Sequence, residues 1–447
     1  MNATTNNASH HVAKVICAET EICLSNPSVP AYETSECVVG TCVKVNLGLE
    51  HPLVLTNAHV VEACGRRVCV LSQAHRGLKH AHARITHLSP ELDIAVLQCT
   101  GDHMEPCNVQ SRACIGQAVK AIGFALDAGS AFTSHGTLEG TEGHYLKSNQ
   151  SINGGCSGGP LFQDNCVIGI NTASSGEAIA FAVPMYTIAH YLRTEEARKL
   201  LGRVPKLDVS LSPRAVNGGG HIVTRVGAPH HGLLRVNDIV THVNGQPLNA
   251  QGRFSGGHGG AYGMDLSSLE FALSAPPEVT LTVRRRDNKR PCSVVIPRVV
   301  RRMAPVYPLW EHVRAVHFAG MVLLEINDSV LEAHDQDVDE EEDAPLHSEI
   351  DGKHRVVITW VLPQGLAASA GIGVLDRVMA IGDVPVFCMD DADRGVAQAH
   401  ERRRTRHRTI TVEVNRVRYT FAASDLAHEE AEHRSRLPLH LVPGSHL

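Results

Sequence analysis

Residues 151–162, "SINGGCSGGPLF", set a thiol and a hydroxyl side by side, Cys156 and Ser157, between two pairs of glycines. Glycines on both sides allow the backbone close approach to a reacting group. The pentapeptide from Gly155 to Gly159 fits G-x-S-x-G, a string found on two unrelated scaffolds. In one, the serine tops a strand-to-helix elbow, and its acid and base follow it in the chain. Here Gly159-Pro160 opposes a helix start, and "LFQDNCVIGIN" (161–171) continues as strand, turn and strand. The other scaffold is a double β-barrel in which a histidine and then an aspartate precede the serine. "VLTNAHVV" (54–61) places His59 at the end of an apolar strand, and "ELDIAVLQ" (91–98) places Asp93 at the start of another. Each residue alone is unremarkable; three in this order, each at a strand end, point to acyl transfer by a base-activated hydroxyl.

The chain around these residues reads as short apolar strands cut by turn residues from 12 to about 183: "VAKVICA", "CVVGTCVKV", "LVLTNAHVV", "RVCVLSQ", "DIAVLQC", "AVKAIGF" and "CVIGINTA". Strands repeated at this spacing without long helical patterns predict a mainly β barrel or sandwich. "PMYTIAHYLRTEEARKLLG" (184–202) predicts a closing helix, with Pro184 near its start and Gly202 at its end. The remainder repeats itself. "VNDIVTHVNGQPL" (236–248) aligns without gaps on "VLDRVMAIGDVPV" (374–386), so that Asp238 meets Asp376, Val240 meets Val378, Val243 meets Ile381, Pro247 meets Pro385 and Leu248 meets Val386. Two domains of one type are expected, at about 205–300 and 310–425.

At 447 residues the chain is long enough for several domains, and a net charge of −6 implies no global attraction to nucleic acid or anionic membrane. No apolar run approaches the ~18 residues of a membrane span. "MNATTNNASHHVAKVICAE" (1–19) lacks a basic region followed by an apolar one, and thirteen cysteines stand without a compact framework; together these predict reduced thiols in an intracellular, cytoplasmic setting. No C-x2-C pair or H-E-x-x-H appears, so no metal is expected, and nothing calls for a cofactor. Seven acids between Asp335 and Asp343, within an acidic insert at 333–345, read as a solvated loop. "ERRRTRHR" (401–408) has no interleaved aromatics and reads as a solvated hairpin rather than an RNA site. Residues 1–11 and 426–447 read as a disordered N-terminus and a tail.

"TNAHVV", "DIAVL", "AIGFAL", "SINGGCSGGPLF", "VIGINTA" and "IAFAVP" resemble the protease domain of the DegP/HtrA serine proteases, and the repeated domains resemble PDZ domains, over roughly residues 12 to 425. A protease domain (12–203) with two such domains is most similar to the plant-type Deg proteases. The resemblance implies a chymotrypsin-like double β-barrel followed by two α+β PDZ domains, the second carrying the acidic insert. It implies an ATP-independent serine endopeptidase acting on unfolded or damaged proteins, with PDZ domains that take peptide C-termini or internal extended segments. It also implies a homo-oligomer, a trimer or multiple of three, although the aromatic residues that relatives use for this are reduced here to Tyr32 in the first 40 positions.

The family's string follows the nucleophile directly with two glycines, which makes it Ser157, with His59 as base and Asp93 as its orienting acid. The resemblance assigns the oxyanion donors to the backbone N–H groups of Gly155 and Ser157. Adjacent side chains in extended backbone point opposite ways, so only one of Cys156 and Ser157 can face His59. The position six before Ser157, acidic in trypsin-like enzymes, is Ser151, and Ile170, Asn171 and Thr172 are expected to wall the primary specificity pocket. An uncharged floor implies cleavage after Val, Ala or Leu. In the first PDZ domain, Gly220, His221, Ile222 and Val223 are expected to bind peptide by strand addition, with a helix near "SSLEFAL" (267–273) opposite. Cys42 stands where relatives carry glycine, and Cys156 where they carry Asn or Asp. Two other readings remain: a catalytically silent PDZ scaffold or holdase, and a Cys156-dependent cysteine protease on the same barrel.

Overall fold

The computed structural model describes residues 8–24, 32–65, 67–74, 77–101, 104–125, 129–176, 178–217, 219–227, 230–254, 266, 268–285, 290–300, 304–334, 354–404 and 408–433. The chain forms two compact units, one of residues 1–19 and 34–301, the other of residues 20–33 and 302–447.

The first unit opens with a 3-10 turn, Ala8–His11, where the sequence suggested disorder; residues 1–7 lie outside the described residues. Seven strands follow: β1 Val12–Glu21, β2 Tyr32–Asn46, β3 Leu53–Thr56, β4 Arg67–Ala74, β5 Gly77–Ser89, β6 Ile94–Cys99 and β7 Cys107–Asn108. Their order is β1-β4-β5-β6-β3-β2-β7, and an added β1–β2 pairing closes a barrel. A second closed barrel, in the order β10-β13-β12-β11-β8-β9, is built from β8 Ala118–Gly123, β9 Phe132–Glu142, β10 Tyr145–Ser148, β11 Pro160–Gln163, β12 Cys166–Ser175 and β13 Ile179–Pro184. This is the chymotrypsin-like double barrel. Val43, Val45, Leu55, Leu92 and Ile94 of the first barrel share one buried cluster with Phe124, Phe162, Ile170 and Val183 of the second. A closed barrel leaves no open sheet edge, and the shared apolar cluster fixes one barrel on the other.

The one-turn helix α1 Ala58–Val61 follows β3, and α2 Met185–Tyr191 follows β13. The single helix expected over 184–202 is therefore short, with a separate 3-10 turn at Glu196–Arg198. Tertiary bonds account for the break. The chain returns to β5, where Leu88 N–H donates to the Leu200 carbonyl and Gly202 N–H to the Leu88 carbonyl, both at 2.8 Å. The buried Tyr191 hydroxyl lies 3.0 Å from both the Gly202 carbonyl and His87 Nε2. A continued helix would carry these groups apart.

Cys17 and Cys64 form a disulfide, with Cα atoms 6.1 Å apart. It joins β1 to the turn after α1 and corrects the expectation that all thirteen cysteines are reduced.

The remaining sheet of this unit runs β14-β15-β16-β18-β19, from β14 Val209–Leu211, β15 His221–Val226, β16 Ile239–Val243, β18 Glu278–Arg284 and β19 Cys292–Pro297, with the short β17 Gln246–Pro247 on β16. Helix α3 Leu269–Ser274 starts at Ser268, whose hydroxyl accepts the Phe271 N–H at 3.2 Å. Phe271 packs into this sheet's core, whereas Leu269 and Ala272 join the cluster that holds Ile188 and Tyr191 of α2.

In the second unit, β20 Val316–Phe318, β21 Met321–Glu325 and β22 Val356–Val361 form one sheet. A second sheet, ordered β24-β23-β25-β26, comprises β23 Val378–Ile381, β24 Val384–Pro385, β25 Thr409–Val414 and β26 Val417–Ala422. Its helices are α4 Asp328–Glu332, α5 Leu366–Ser369, α6 Met389–Arg404 and α7 Ala423–His433. The acidic run 335–343 lies outside the described residues. Residues 401–404 are the last turn of α6 rather than a hairpin, a correction explained by the helical spacing of Ala392, Val396 and Ala399 in the core. Residues 426–433 likewise belong to α7 rather than to a free tail, and Leu426 is buried.

The sequence repeat is also a structural one. Asp238 and Asp376 each accept the backbone N–H three residues earlier, from Arg235 at 3.0 Å and Gly373 at 2.7 Å. The residues before them, Asn237 and Leu375, are both left-handed, with φ of 73° and 65°. The carbonyls of the two aspartates take N–H groups from matching strands, Val223 at 2.8 Å and Ile358 at 3.0 Å. Among the described residues, no helix is long and apolar enough to cross a membrane.

Candidate active site

Strand β3 buries Val54, Leu55 and Thr56, then turns at Asn57 into α1. Three of the four α1 residues, Ala58, Val60 and Val61, are buried, which leaves His59 facing out. Asp93 follows the 3-10 turn Pro90–Leu92 and adopts a left-handed conformation, φ 55° and ψ 47°, with its N–H on the Pro90 carbonyl. Aspartate tolerates this region better than most residues. The buried Asn57 holds the conformation, since its Nδ2 donates to the Asp93 carbonyl at 2.8 Å.

The two elements meet through the Asp93 carboxylate. It accepts His59 Nδ1–H, with Oδ2 at 2.9 Å and Oδ1 at 3.0 Å, and the backbone N–H of His59 at 3.0 Å. The Thr172 hydroxyl donates to Oδ2 as well. The His59 side chain is 44% exposed and that of Asp93 15%, so the imidazole's other nitrogen is open to a reacting group while the acid is enclosed. Burial pulls the His59 pKa down, but the hydrogen bond and charge of Asp93, helped by the charge of Glu62, outweigh it and hold the imidazole above its ordinary value. Glu62 is itself raised, by burial and then by the Asp93 charge, against the opposing effect of His59.

Ser157 lies between Gly155, φ 91°, and Gly158, φ 84°, a backbone that side chains rarely adopt. Its hydroxyl donates to the Thr172 carbonyl at 3.2 Å rather than to His59. Hydrogen bonds of this kind are often unformed before substrate is bound. Thr172 thus touches both Asp93 and Ser157. Among the described residues, no group accepts a hydrogen bond from the backbone N–H of Gly155 or Ser157, so both donors are unspent. Cys156 points the other way. It is 1% exposed, packs with Leu138, Leu161 and Ile168 inside the second barrel, and its thiol is pushed up by burial, with a backbone contact from Asn153 acting against this.

The four expected pocket residues divide. Ser151 is exposed between the buried Gln150 and Ile152. Ile170 is part of the cluster between the barrels, and the buried Asn171 donates from Nδ2 to the Pro160 carbonyl at 3.2 Å. Thr172 turns its hydroxyl to Asp93, a role the pocket expectation did not give it. The peptide-edge expectation is corrected. Gly220 precedes β15, and His221, Ile222 and Val223 lie on it, a strand flanked by β14 and β16 with no free edge. His221 is fully buried, its ring nitrogens 2.7 Å from the Ser212 carbonyl and 3.0 Å from that of Asn249. The strands at the sheet's two borders are β14 and β19, and β14 is the one beside β15. Sequence reasoning missed Asn57 and gave Thr172 another role; Asn57 stands two residues before His59 in "TNAHVV", but only the fold brings Asp93 to it.

Residues 39–170, which contain His59, Asp93 and Ser157, match the trypsin-like peptidase domain family. Within that class, the curated relatives of this chain are DegP/HtrA-type serine proteases. Serine protease HTRA4 of Mus musculus is 25% identical over 265 residues, 50% of this chain and 52% of that protein. A probable periplasmic serine endoprotease DegP-like of Pseudomonas putida (strain W619) is 27% identical over 269 residues, 54% of this chain and 53% of that protein. The chain spans about half the length of the curated relatives it matches. In fold it is similar to a solved HtrA-type protease AlgW with decapeptide, with a TM-score of 0.50 and 19% identity, over 66% of this chain and 97% of that one.

Proposed function

We propose that this chain is a serine endopeptidase of the DegP/HtrA type that hydrolyses unfolded or damaged proteins without ATP. The observation that carries the reading is the His59–Asp93 hydrogen bond on one barrel, joined through Thr172, which touches both Asp93 and Ser157, to a loop that offers a hydroxyl and two unspent N–H donors. In this reading His59 Nε2 takes the Ser157 proton as Oγ bonds to the scissile carbonyl carbon. Asp93 keeps the second ring proton on Nδ1 and stabilises the imidazolium. The carbonyl oxygen becomes an oxyanion and is held by the N–H groups of Gly155 and Ser157. Collapse breaks the C–N bond, and the leaving amine takes the proton from His59. Water, deprotonated by His59 in turn, then attacks the acyl-Ser157 ester; the C–Oγ bond breaks, Ser157 Oγ takes the proton back from His59, and the acid is released.

Ser151 brings no charge to the start of the nucleophile loop, which supports cleavage after small or medium aliphatic residues. Residues 205–300 and 310–425 are read as PDZ-type domains that bind extended peptide segments and support a homo-oligomer, with the edge of β14 in place of β15 for strand addition. The buried, raised thiol of Cys156 disfavours the cysteine-protease reading. The test is casein hydrolysis by the wild type and by Ser157→Ala. The proposal expects turnover from the first and none from a folded second; absence of any hydrolysis by the wild type would favour the scaffold reading.

A further inference from the structure

Thr41, on β2, is a polar residue with no exposed surface at the junction of the two barrels. Three of its hydrogen bonds lead toward the active site. The hydroxyl accepts the Phe124 N–H at 3.0 Å, so its own proton is free for the Gly155 carbonyl, 2.7 Å away. The Thr41 N–H donates to the Ser157 carbonyl at 2.8 Å. The Thr41 carbonyl accepts the Thr56 hydroxyl at 2.8 Å, and Thr56 immediately precedes Asn57, the residue that holds Asp93.

We propose that Thr41 is a positioning residue for the oxyanion hole, fixing the Gly155 and Ser157 N–H donors through hydrogen bonds to the carbonyls of the same two residues. The inference rests on the function proposed above. Its physical basis is the freedom of the loop. Gly154 and Gly155 are consecutive glycines, and a Cβ added at Gly154 would meet nothing within 4 Å, so the space beside Gly154 is open. Rotation of the Gly154–Gly155 peptide would turn the Gly155 N–H away from the oxyanion, and a glycine pair resists such rotation weakly. Holding the Gly155 carbonyl on one side of Cys156 and the Ser157 carbonyl on the other fixes the peptide units that flank the Ser157 N–H, one of which adjoins the unit carrying the Gly155 N–H. Two neighbouring glycines pack closely against Thr41. A Cβ on Gly158 would fall 2.0 Å from the Thr41 carbonyl oxygen, and one on Gly159 would fall 3.3 Å from Thr41 Cγ2. Valine at position 41 keeps the shape and the bonds of its own backbone but loses both bonds of the hydroxyl, the one to the Gly155 carbonyl and the one from the Phe124 N–H.

The experiment compares wild type, Thr41→Val and Thr41→Ser on a peptide anilide. It also measures affinity for a peptide aldehyde, which forms a tetrahedral adduct, and for the same peptide as a free acid, which does not. Removal of one oxyanion donor costs about 10²–10³ in kcat, so its misplacement in Thr41→Val is expected to cost at least ~10-fold, with KM within about twofold. Aldehyde affinity should fall by the same factor, free-acid affinity should stay, and the acid limb of the pH profile should not move, because His59 and Asp93 are untouched. Thr41→Ser, which restores the hydroxyl, should return kcat to within about threefold of wild type. A folded Thr41→Val with unchanged kcat, or with aldehyde and free-acid affinities falling together, would overturn the assignment. If Thr41→Val does not fold, Thr41→Cys, which keeps the volume with a weak donor, is read in the same way. Wild-type hydrolysis that persists in Ser157→Ala would count against the parent reading instead.

Discussion

Asp93→Asn separates orientation of the base from everything else Asp93 does. The backbone survives the change, because asparagine also tolerates the left-handed conformation and the Asn57 bond is to the Asp93 carbonyl, not to its carboxylate. The carboxylate accepts from three donors: His59 N–H, His59 Nδ1–H and the Thr172 hydroxyl. An amide offers one oxygen and one NH2. Keeping the oxygen toward the His59 backbone N–H puts the NH2 at Oδ2, facing Nδ1 and the Thr172 hydroxyl. The amide then donates to Nδ1, and the ring proton moves to Nε2. A histidine with Nε2–H presents a donor to Ser157 and cannot take its proton. Loss of the correct tautomer costs up to ~10⁴ in rate, about 5.4 kcal/mol of transition-state stabilisation. The assay is kcat/KM on a peptide anilide with valine before the scissile bond, alongside circular dichroism to verify the fold. A folded variant within tenfold of wild type would refute the assignment of Asp93 as the orienting acid.

Other outcomes follow from the same structure. Because the Asp93 hydrogen bond and charge raise His59 above its ordinary value, and only neutral His59 accepts a proton, kcat/KM should fall as pH drops through a midpoint above about 6.5; a midpoint below that would contradict the pairing. Glu62→Gln removes one of the raising charges, so the midpoint should move down in a pH–rate profile. Cys17→Ser opens a loop closed across a sequence separation of 47, for which chain entropy gives about 4 kcal/mol, and urea unfolding should show a loss of that order; an unchanged midpoint would mean the two thiols are not joined. Product mass spectrometry on casein should find Val, Ala or Leu before the cut, and a majority of Lys or Arg would refute the uncharged-pocket reading.

The features legible in the sequence are those encoded locally. Alternating apolar runs marked the barrel strands, and the ends of two of them marked His59 and Asp93. The aligned Asp238 and Asp376 revealed a repeat because each caps its own turn, a bond spanning three residues. What stayed hidden depends on distant partners. That β15 is interior and β14 peripheral is a matter of sheet order, and β14 is only Val209–Leu211, too short to announce itself. Thr172 reads as a pocket-wall residue until Asp93, 79 positions away, is folded against it. Helix α2 ends early because Tyr191 and Gly202 are drawn to β5, and no residue between them signals that stop.

The central claim is that the hydroxyl, and not the adjacent thiol, attacks. It is tested most directly by labelling the folded protein with a fluorophosphonate and mapping the modified peptide. One adduct is expected on Ser157 within residues 151–162, lost in Ser157→Ala and retained in Cys156→Ser, because the thiol is enclosed in the second barrel. Turnover that is abolished in a folded Cys156→Ser while persisting in Ser157→Ala, with no label on Ser157, would contradict it and make Cys156 the nucleophile.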